Sequence, residues 1–178
     1  MTEAALNLFA QKGIEAATTK EIARRAKISE GTIYRHFKSK EELAQFLFIN
    51  NMALFAERLE EGVKKAEGPK ERLLAAIKGF LDFAREEPTI YKYIVMAHYT
   101  ELKRVSRERL KPKEVFVRII REGMEAGDFW KMDDNLAAAM IIGMTIRVNL
   151  FMEGGLITLS YDRVVEEVWR AALAILHG

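Results

Sequence analysis

The residues best able to do chemistry lie together in one stretch, 18–40, which reads TTKEIARRAKISEGTIYRHFKSK. Hydroxyls at Thr19, Thr32 and Tyr34, cations at Lys20, Arg35 and Lys40, the Glu30 carboxylate and the His36 imidazole alternate there with apolar residues at helical spacing. A guanidinium can pair bidentately with O6 and N7 of guanine, and a carboxylate can accept from cytosine N4. Hydroxyls, ammonium groups and backbone N–H groups hold phosphates. This is the chemistry of recognition. Nothing in the chain points to catalysis: His36, His98 and His177 are far apart in sequence, and His98 with Glu101 makes a single helical pair where a metal site needs more ligands. The absence of cysteine excludes disulfides, thiolate metal sites and cysteine nucleophiles. No catalytic residue, metal or cofactor is expected.

The elements that must position these groups can be read from local signals. Thr18 and Glu21 form a T-x-x-E capping box, and Ile22, Ala23 and Ala26 recur at helical spacing, which predicts a helix over 19–26. Ser29 opens a second helix, in which Ile33 and Phe37 face inward and Thr32, Tyr34, Arg35 and His36 point out. A third start falls at Ser39, where S-K-E-E precedes the apolar set Leu43, Phe46 and Leu47 of a long helix. Two helices joined by a short turn, with the polar face of the second left outside, make a helix-turn-helix.

This block resembles the DNA-binding domain of the TetR family, the tetracycline-repressor-like bacterial regulators. The resemblance covers about residues 4–47: A-L-N-L-F-A-Q-K-G over 5–13 is similar to the family's first helix and its closing glycine, and the threonine pair, G-T-I-Y-x-H-F and S-K-E-E-L sit at the family's spacing. R-E-G-M-E-A-G-D over 121–128 and the aspartate-started apolar helix from Asp133 resemble the less regular C-terminal half. Carried over by position, the resemblance implies that Thr19, Thr32, Tyr34, His36 and Lys40 contact phosphate or face DNA. It implies that Lys20, Glu30, Gly31 and Arg35 touch base edges. Two departures stand out. Lys27 occupies the inter-helix turn where the family carries glycine, so a non-glycine residue is expected at positive φ, at a cost of roughly 1 kcal/mol. The sequence starts Met1, Thr2, Glu3, where the family's first helix normally begins several residues earlier, often after a basic arm, so minor-groove contacts of such an arm are not assigned.

Charge supports the same reading only through its distribution. The net charge is +2, from 28 Lys and Arg against 26 Asp and Glu. Residues 1–48 hold eight bases and six acids, and the remaining twenty of each cancel. With 178 residues there is ample length for a buried core, and neither a signal peptide nor a membrane-spanning run of roughly 18–20 apolar residues is read, so a soluble, cytoplasmic chain without a membrane partner is expected.

The rest of the chain reads as further helices, giving an all-α fold: an N-terminal helix-turn-helix domain over 1–47 and a helical effector-binding and dimerisation domain over 48–178. The fourth helix is expected to run from 40 to near 67, the fifth to end before Pro88, and the sixth to cover 89–99. Residues 100–113 are charged, either loop or helical extension. A seventh helix ends at Gly127, an eighth is apolar on almost every side over 136–152, and a ninth starts after Ser160.

The resemblance places an effector pocket among helices five to eight, with Phe80, Phe83, Tyr91, Tyr93, Met96, His98, Phe116, Ile120, Met124, Met140, Met144 and Arg147 as candidates by position. Ordinary core packing is the alternative for most of them. Arg147, on one face with Met140, Met144 and Phe151, must be paired, hydrated or held for a ligand, with snorkelling to the surface as the alternative. The apolar eighth and ninth helices predict a homodimer interface through Ile141, Val148, Met152, Val164, Val168, Trp169 and Ala172. These readings together predict a homodimeric repressor that binds a pseudo-palindromic duplex operator and is released by a small apolar or amphipathic molecule. A repressor without an effector and a helical ligand-binding protein with a vestigial DNA-binding motif remain the alternatives.

Overall fold

The computed structural model describes residues 1–101 and 111–177, the side chains of 98–101 excepted. Among the described residues there are nine helices and no strand: α1 (Thr2–Ala16), α2 (Thr19–Ala26), α3 (Glu30–Tyr34), α4 (Lys40–Val63), α5 (Pro69–Glu86), α6 (Pro88–Glu101), α7 (Pro112–Ala126), α8 (Asp134–Glu153) and α9 (Tyr161–His177). The starts follow the sequence signals. Ser39 Oγ accepts from the Glu42 N–H, Asp133 caps α8 by accepting from Leu136 N–H at 2.7 Å, and prolines open α5, α6 and α7. Most of the charged stretch expected between the sixth and seventh helices, 102–110, lies outside the described residues. The fourth helix stops at Val63 rather than near 67: the chain tightens as Lys65 and Ala66 donate to Gly62 and Val63, and Gly68 then takes φ 81°.

The chain forms two compact units, and the division falls inside α4 after Leu54. The first holds α1, α2, α3, the first part of α4, and α6. Its core is built on Phe9, Ile22, Ile33, Leu43, Phe48 and Tyr93. The sixth helix packs on α1 here although it follows α5 in sequence, and Tyr93 shows why: its ring stacks on Phe9 with centroids 6.0 Å apart, and its buried hydroxyl donates to Ala44 O at 2.6 Å. A tyrosine that buries its ring needs a partner for its O–H, and the α4 carbonyl supplies one.

The second unit holds the end of α4 with α5, α7, α8 and α9. Phe55 stacks on Phe83 at 4.3 Å and meets the edge of Phe80, which in turn meets Phe116. Around this aromatic centre Arg118 joins Glu60 and Glu122, and Arg72 reaches the other oxygen of Glu122. Burial opposes the charge on Arg118, but its hydrogen bonds to the two carboxylates outweigh it and raise its pKa. Tyr161, at the start of α9, donates to Asp82 at 2.7 Å beneath the Arg85 guanidinium. Burial and that carboxylate both push the Tyr161 hydroxyl up, leaving it protonated as the donor.

The R-E-G-M-E-A-G-D stretch becomes a clasp. Gly127 ends α7 at φ 80°, and the Asp128 and Phe129 N–H groups return to Gly123 O. This lays the Phe129 ring over Gly123, where an added Cβ would come within 2.1 Å of a ring carbon. The next residue holds the end of α9: Trp130 donates its backbone N–H to Leu176 O at 2.9 Å and its indole N–H to Ile175 O at 3.1 Å. Gly123→Ala is therefore expected to force Phe129 out and destabilise the chain by about 1–3 kcal/mol, read as a lower urea midpoint at unchanged slope.

Candidate nucleic-acid interface

The face expected to meet DNA is assembled around the start of α2. Thr18 caps the helix, accepting from Glu21 N–H at 3.2 Å, while the Glu21 carboxylate accepts from the Thr18 N–H at 3.0 Å and the Thr18 hydroxyl at 2.9 Å. Lys12 on α1 adds its ammonium at 2.7 Å to both Glu21 oxygens. The Lys12 hydrogen bond and the two from Thr18 hold the Glu21 carboxyl down to about 2. At its other end α2 stops on Lys27 in the left-handed region, φ 55° and ψ 43°, as expected at the position that carries glycine elsewhere. Ser29 then starts α3 by accepting from the Thr32 N–H.

This geometry leaves Lys20, Gly31, Tyr34, Arg35 and His36 exposed, and Thr19, Glu30, Thr32 and Lys40 half-buried. Several of the nine have partners within the chain. Thr19 Oγ1 donates to Glu30 at 2.8 Å and lies 3.4 Å from the Tyr34 hydroxyl, and Arg35 reaches Thr32 Oγ1 at 3.4 Å. Lys40 is turned back toward α1, where its ammonium donates to Glu15 O at 3.1 Å and Ala17 O at 3.0 Å, the orphan carbonyls at the end of that helix. The resemblance implies a phosphate contact for Lys40; in the free chain that ammonium caps α1.

Two cations stand beside this set that the sequence analysis does not assign to DNA. Arg24 and Lys27 follow Lys20 at i+4 and i+7, all three exposed or half-exposed and with no acidic partner among the described residues. Their spacing is the available signal. Gly31 is equally telling: its φ is helical and a Cβ there would meet nothing closer than Ser29 Oγ at 3.8 Å, so the chain's own packing does not call for glycine.

The residues expected to line an effector pocket are divided between the two units. Phe80, Phe83, Phe116 and Ile120 are buried in the second, the three rings in the aromatic centre; Tyr91 and Tyr93 are buried in the first. Met96 and Met140 are exposed, Met124 and Met144 half-buried, and the His98 side chain lies outside the described residues. Arg147 is exposed rather than enclosed, with its guanidinium 5.4 Å from the Phe151 ring centroid. The cause is the way α8 packs. Its inward stripe is Ala137, Ala138, Ile141, Thr145 and Asn149, small or polar residues apart from Ile141, set against α5, α7 and α9, and its large apolar residues face out.

The same stripe rearranges the expected dimer face. Ile141, Val164, Val168 and Ala172 are packed inside the chain's own core, whereas Val148, Met152 and Trp169 keep part of their surface. The outward residues of α8 instead include Leu136, Ala139, Met140, Gly143, Arg147, Leu150 and Phe151. By length and apolar content alone α8 could cross a bilayer, contrary to the sequence reading. Its packing within the second unit accounts for its inward face, and Arg147 and Asn149 interrupt the apolar run.

Comparison with known proteins gives a consistent picture. The family described as bacterial regulatory proteins, tetR family, matches residues 2–46, and the tetracyclin repressor-like C-terminal domain matches residues 66–176. The fatty acid metabolism regulator protein of Bacillus subtilis is 32% identical over 146 residues, covering 79% of this chain and 75% of that protein. The transcriptional repressor KstR2 of Mycolicibacterium smegmatis is 26% identical over 190 residues, covering 100% of this chain and 87% of that protein. In fold, the chain is similar to the crystal structure of the transcriptional regulator FadR from Bacillus subtilis in complex with stearoyl-CoA, with a TM-score of 0.77 at 23% identity over 99% of this chain and 97% of that one.

The Glu21 cluster generates a pH prediction. Its folded pKa lies below the ordinary 4.5, so its contribution to stability is complete above that value and is lost as the pH falls toward about 2. Glu21→Gln should abolish this part of the acid destabilisation. Melting temperatures between pH 5 and 2.5 should fall less steeply for the variant than for the wild type.

Proposed function

The chain belongs to the tetR family of bacterial regulatory proteins, and from that premise we propose that it is a cytoplasmic, homodimeric repressor whose hold on a pseudo-palindromic operator is released by a long-chain fatty acyl thioester. The observation that carries the DNA reading is the face made by α2 and α3. Exposed Tyr34, Arg35 and His36 lie on and just after a capped α3, next to the Lys20, Arg24 and Lys27 stripe and a glycine that the internal packing does not require. Laid in a major groove, α3 brings Arg35 to base edges, the stripe meets backbone phosphates, and Gly31 allows close approach of its backbone. Residues 1–47 carry the DNA-binding helices, within a compact unit that also takes in α6, and the second compact unit carries the effector and dimer functions.

The effector class is supported by the relative named for fatty acid metabolism and by the stearoyl-CoA held in the FadR structure. The candidate lining residues of the second unit, Phe80, Phe83, Phe116 and Ile120, are apolar, as an acyl chain requires. The repressor reading is supported by the relative named as one.

A duplex selected from a random pool should bind at least about 10³-fold more tightly than random DNA. The affinity should fall with salt by about 0.9 log units per log unit for each phosphate held, so Lys20→Gln, Arg24→Gln and Lys27→Gln combined should reduce the slope by up to about 2.7. Gly31→Ala should raise stability by up to about 1 kcal/mol yet weaken operator binding, the opposite signs marking a glycine kept for DNA. Stearoyl-CoA should lower operator affinity by about 5- to 150-fold. A wild type that selects no sequence sinks the DNA reading; selective binding indifferent to acyl-CoA chains leaves the repressor without this effector.

A second copy covering the outward face of α8 supplies the dimer. Gly143 sits mid-helix with nothing within 4 Å of where its Cβ would lie, and an exposed helical glycine costs roughly 0.5–1 kcal/mol relative to alanine. A neighbouring helix approaching closely at that point explains it. Light scattering should give twice the 20.4 kDa chain mass, and Met140→Glu with Phe151→Glu should give the single chain, folded by its helical circular dichroism. A wild-type monomer at micromolar concentration removes the dimer.

A further inference from the structure

The Glu30 carboxylate sits on α3 where a base reader is expected, yet one of its oxygens already accepts the Thr19 hydroxyl at 2.8 Å, in a half-buried contact between the first residues of α2 and α3. Because Thr19 donates to Glu30, its hydroxyl can only accept from Tyr34, 3.4 Å away. The three side chains form one directed chain, Tyr34 to Thr19 to Glu30. It joins two points with different tasks: the start of α2, whose first-turn N–H groups lack intrahelical acceptors and suit phosphate, and the start of α3, which enters the groove. A carboxylate that reached for a base would have to leave Thr19 and give up a hydrogen bond already made.

We infer that Glu30 is a positioning residue and not a base reader: by accepting the Thr19 hydroxyl it holds the start of α2 at a set distance from the start of α3, so that phosphate contacts and base contacts fall in one register on the duplex. This inference rests on the DNA-binding reading above. A hydrogen bond to a charged acceptor constrains both ends more strongly than a neutral one, and both ends here are anchored independently, Thr19 beside the Glu21 capping box and Glu30 beside the Ser29 cap. The spacing between the two DNA-facing helices is thus set by side chains on the interface itself. The bond adds a directed contact to the fully buried Ile22 and Ile33 core.

The test is a position-resolved base-preference profile, measured by selection from a random duplex pool, together with operator affinities for Thr19→Val, Glu30→Ala, Glu30→Gln and the Thr19→Val/Glu30→Ala double variant. Glu30→Ala should weaken operator binding about tenfold, the scale of one charge-assisted hydrogen bond, and leave the rank of bases at every position unchanged. Thr19→Val should lose at least as much, its hydroxyl being also expected at phosphate, and the double variant should be no worse than Thr19→Val alone, because the bond to Glu30 is already gone. Glu30→Gln, whose amide oxygen can still accept from Thr19, should restore most of the affinity. Urea midpoints of all four variants separate a loss of fold from a loss of register. Loss of preference at one base pair in Glu30→Ala but not in Thr19→Val overturns the inference in favour of base reading. Additive losses in the double variant, or a Glu30→Gln protein as weak as Glu30→Ala, overturn it as well. A wild type that selects no sequence fails at the earlier step and concerns the DNA-binding reading itself.

Discussion

The start of α2 is fixed from two sides by the Glu21 carboxylate, which takes the Lys12 ammonium from α1 and both the hydroxyl and the backbone N–H of Thr18. The corner proposed to face DNA depends on that arrangement. With Thr18 committed to the cap, the next residue, Thr19, is left to face α3, where Glu30 receives it. Lys40 extends the same logic to α4 by closing the carbonyls at the end of α1. Short polar contacts thus tie four helices of the first unit above a core of Phe9, Ile22, Ile33 and Leu43. Their value here is in direction more than energy, since each involves an exposed or half-buried charged group that water also solvates. A recognition surface needs its donors and acceptors at set separations, which apolar packing does not specify on its own.

The second unit solves a different problem, that of an apolar helix placed at a surface. In α8 the small and polar residues turn inward, Thr145 returning its hydroxyl to Ile141 O and Asn149 donating to Glu153, while Leu136, Met140, Leu150 and Phe151 face out. Small inward residues let a helix lie close to its neighbours, and the large residues left outside need cover from elsewhere. The Gly123–Phe129 clasp and the two Trp130 hydrogen bonds close the end of α9. The sequence motif around Gly123 and Gly127 is therefore a packing device: one glycine admits a ring and the other turns the chain.

Much of the candidate interface is legible in the sequence because its signals are local. The Thr18–Glu21 and Ser39–Glu42 caps, the Ser29 start and the left-handed Lys27 each rest on neighbours within a few residues, and each is found at its expected position. The outward direction of Tyr34, and of Arg35 and His36 just after α3, follows from the inward direction of Ile33 beside them. Less legible is what those side chains do. Glu30 and Lys40 carry charges that residue type alone would assign to a ligand, and both are engaged across 11 to 25 residues of sequence.

The sequence by itself determined the helices, their caps and breaks, and the family to which the pattern belongs, since helix period, capping and glycine or proline punctuation act over one or two turns. Tertiary structure decided which face of each helix is buried. The all-round apolarity of α8 could not say that Ile141 turns in and Phe151 out, and nothing near Tyr93 in sequence announces that α6 returns to α1. Those choices rest on contacts between distant residues, such as Tyr93 with Phe9 and Ala44, where ring shape and one carbonyl acceptor must meet. Whether a charged side chain is free for a partner or already holds its own chain together is settled by the same long-range geometry, because a hydrogen bond needs both ends within about 3 Å and the sequence supplies only one of them at a time.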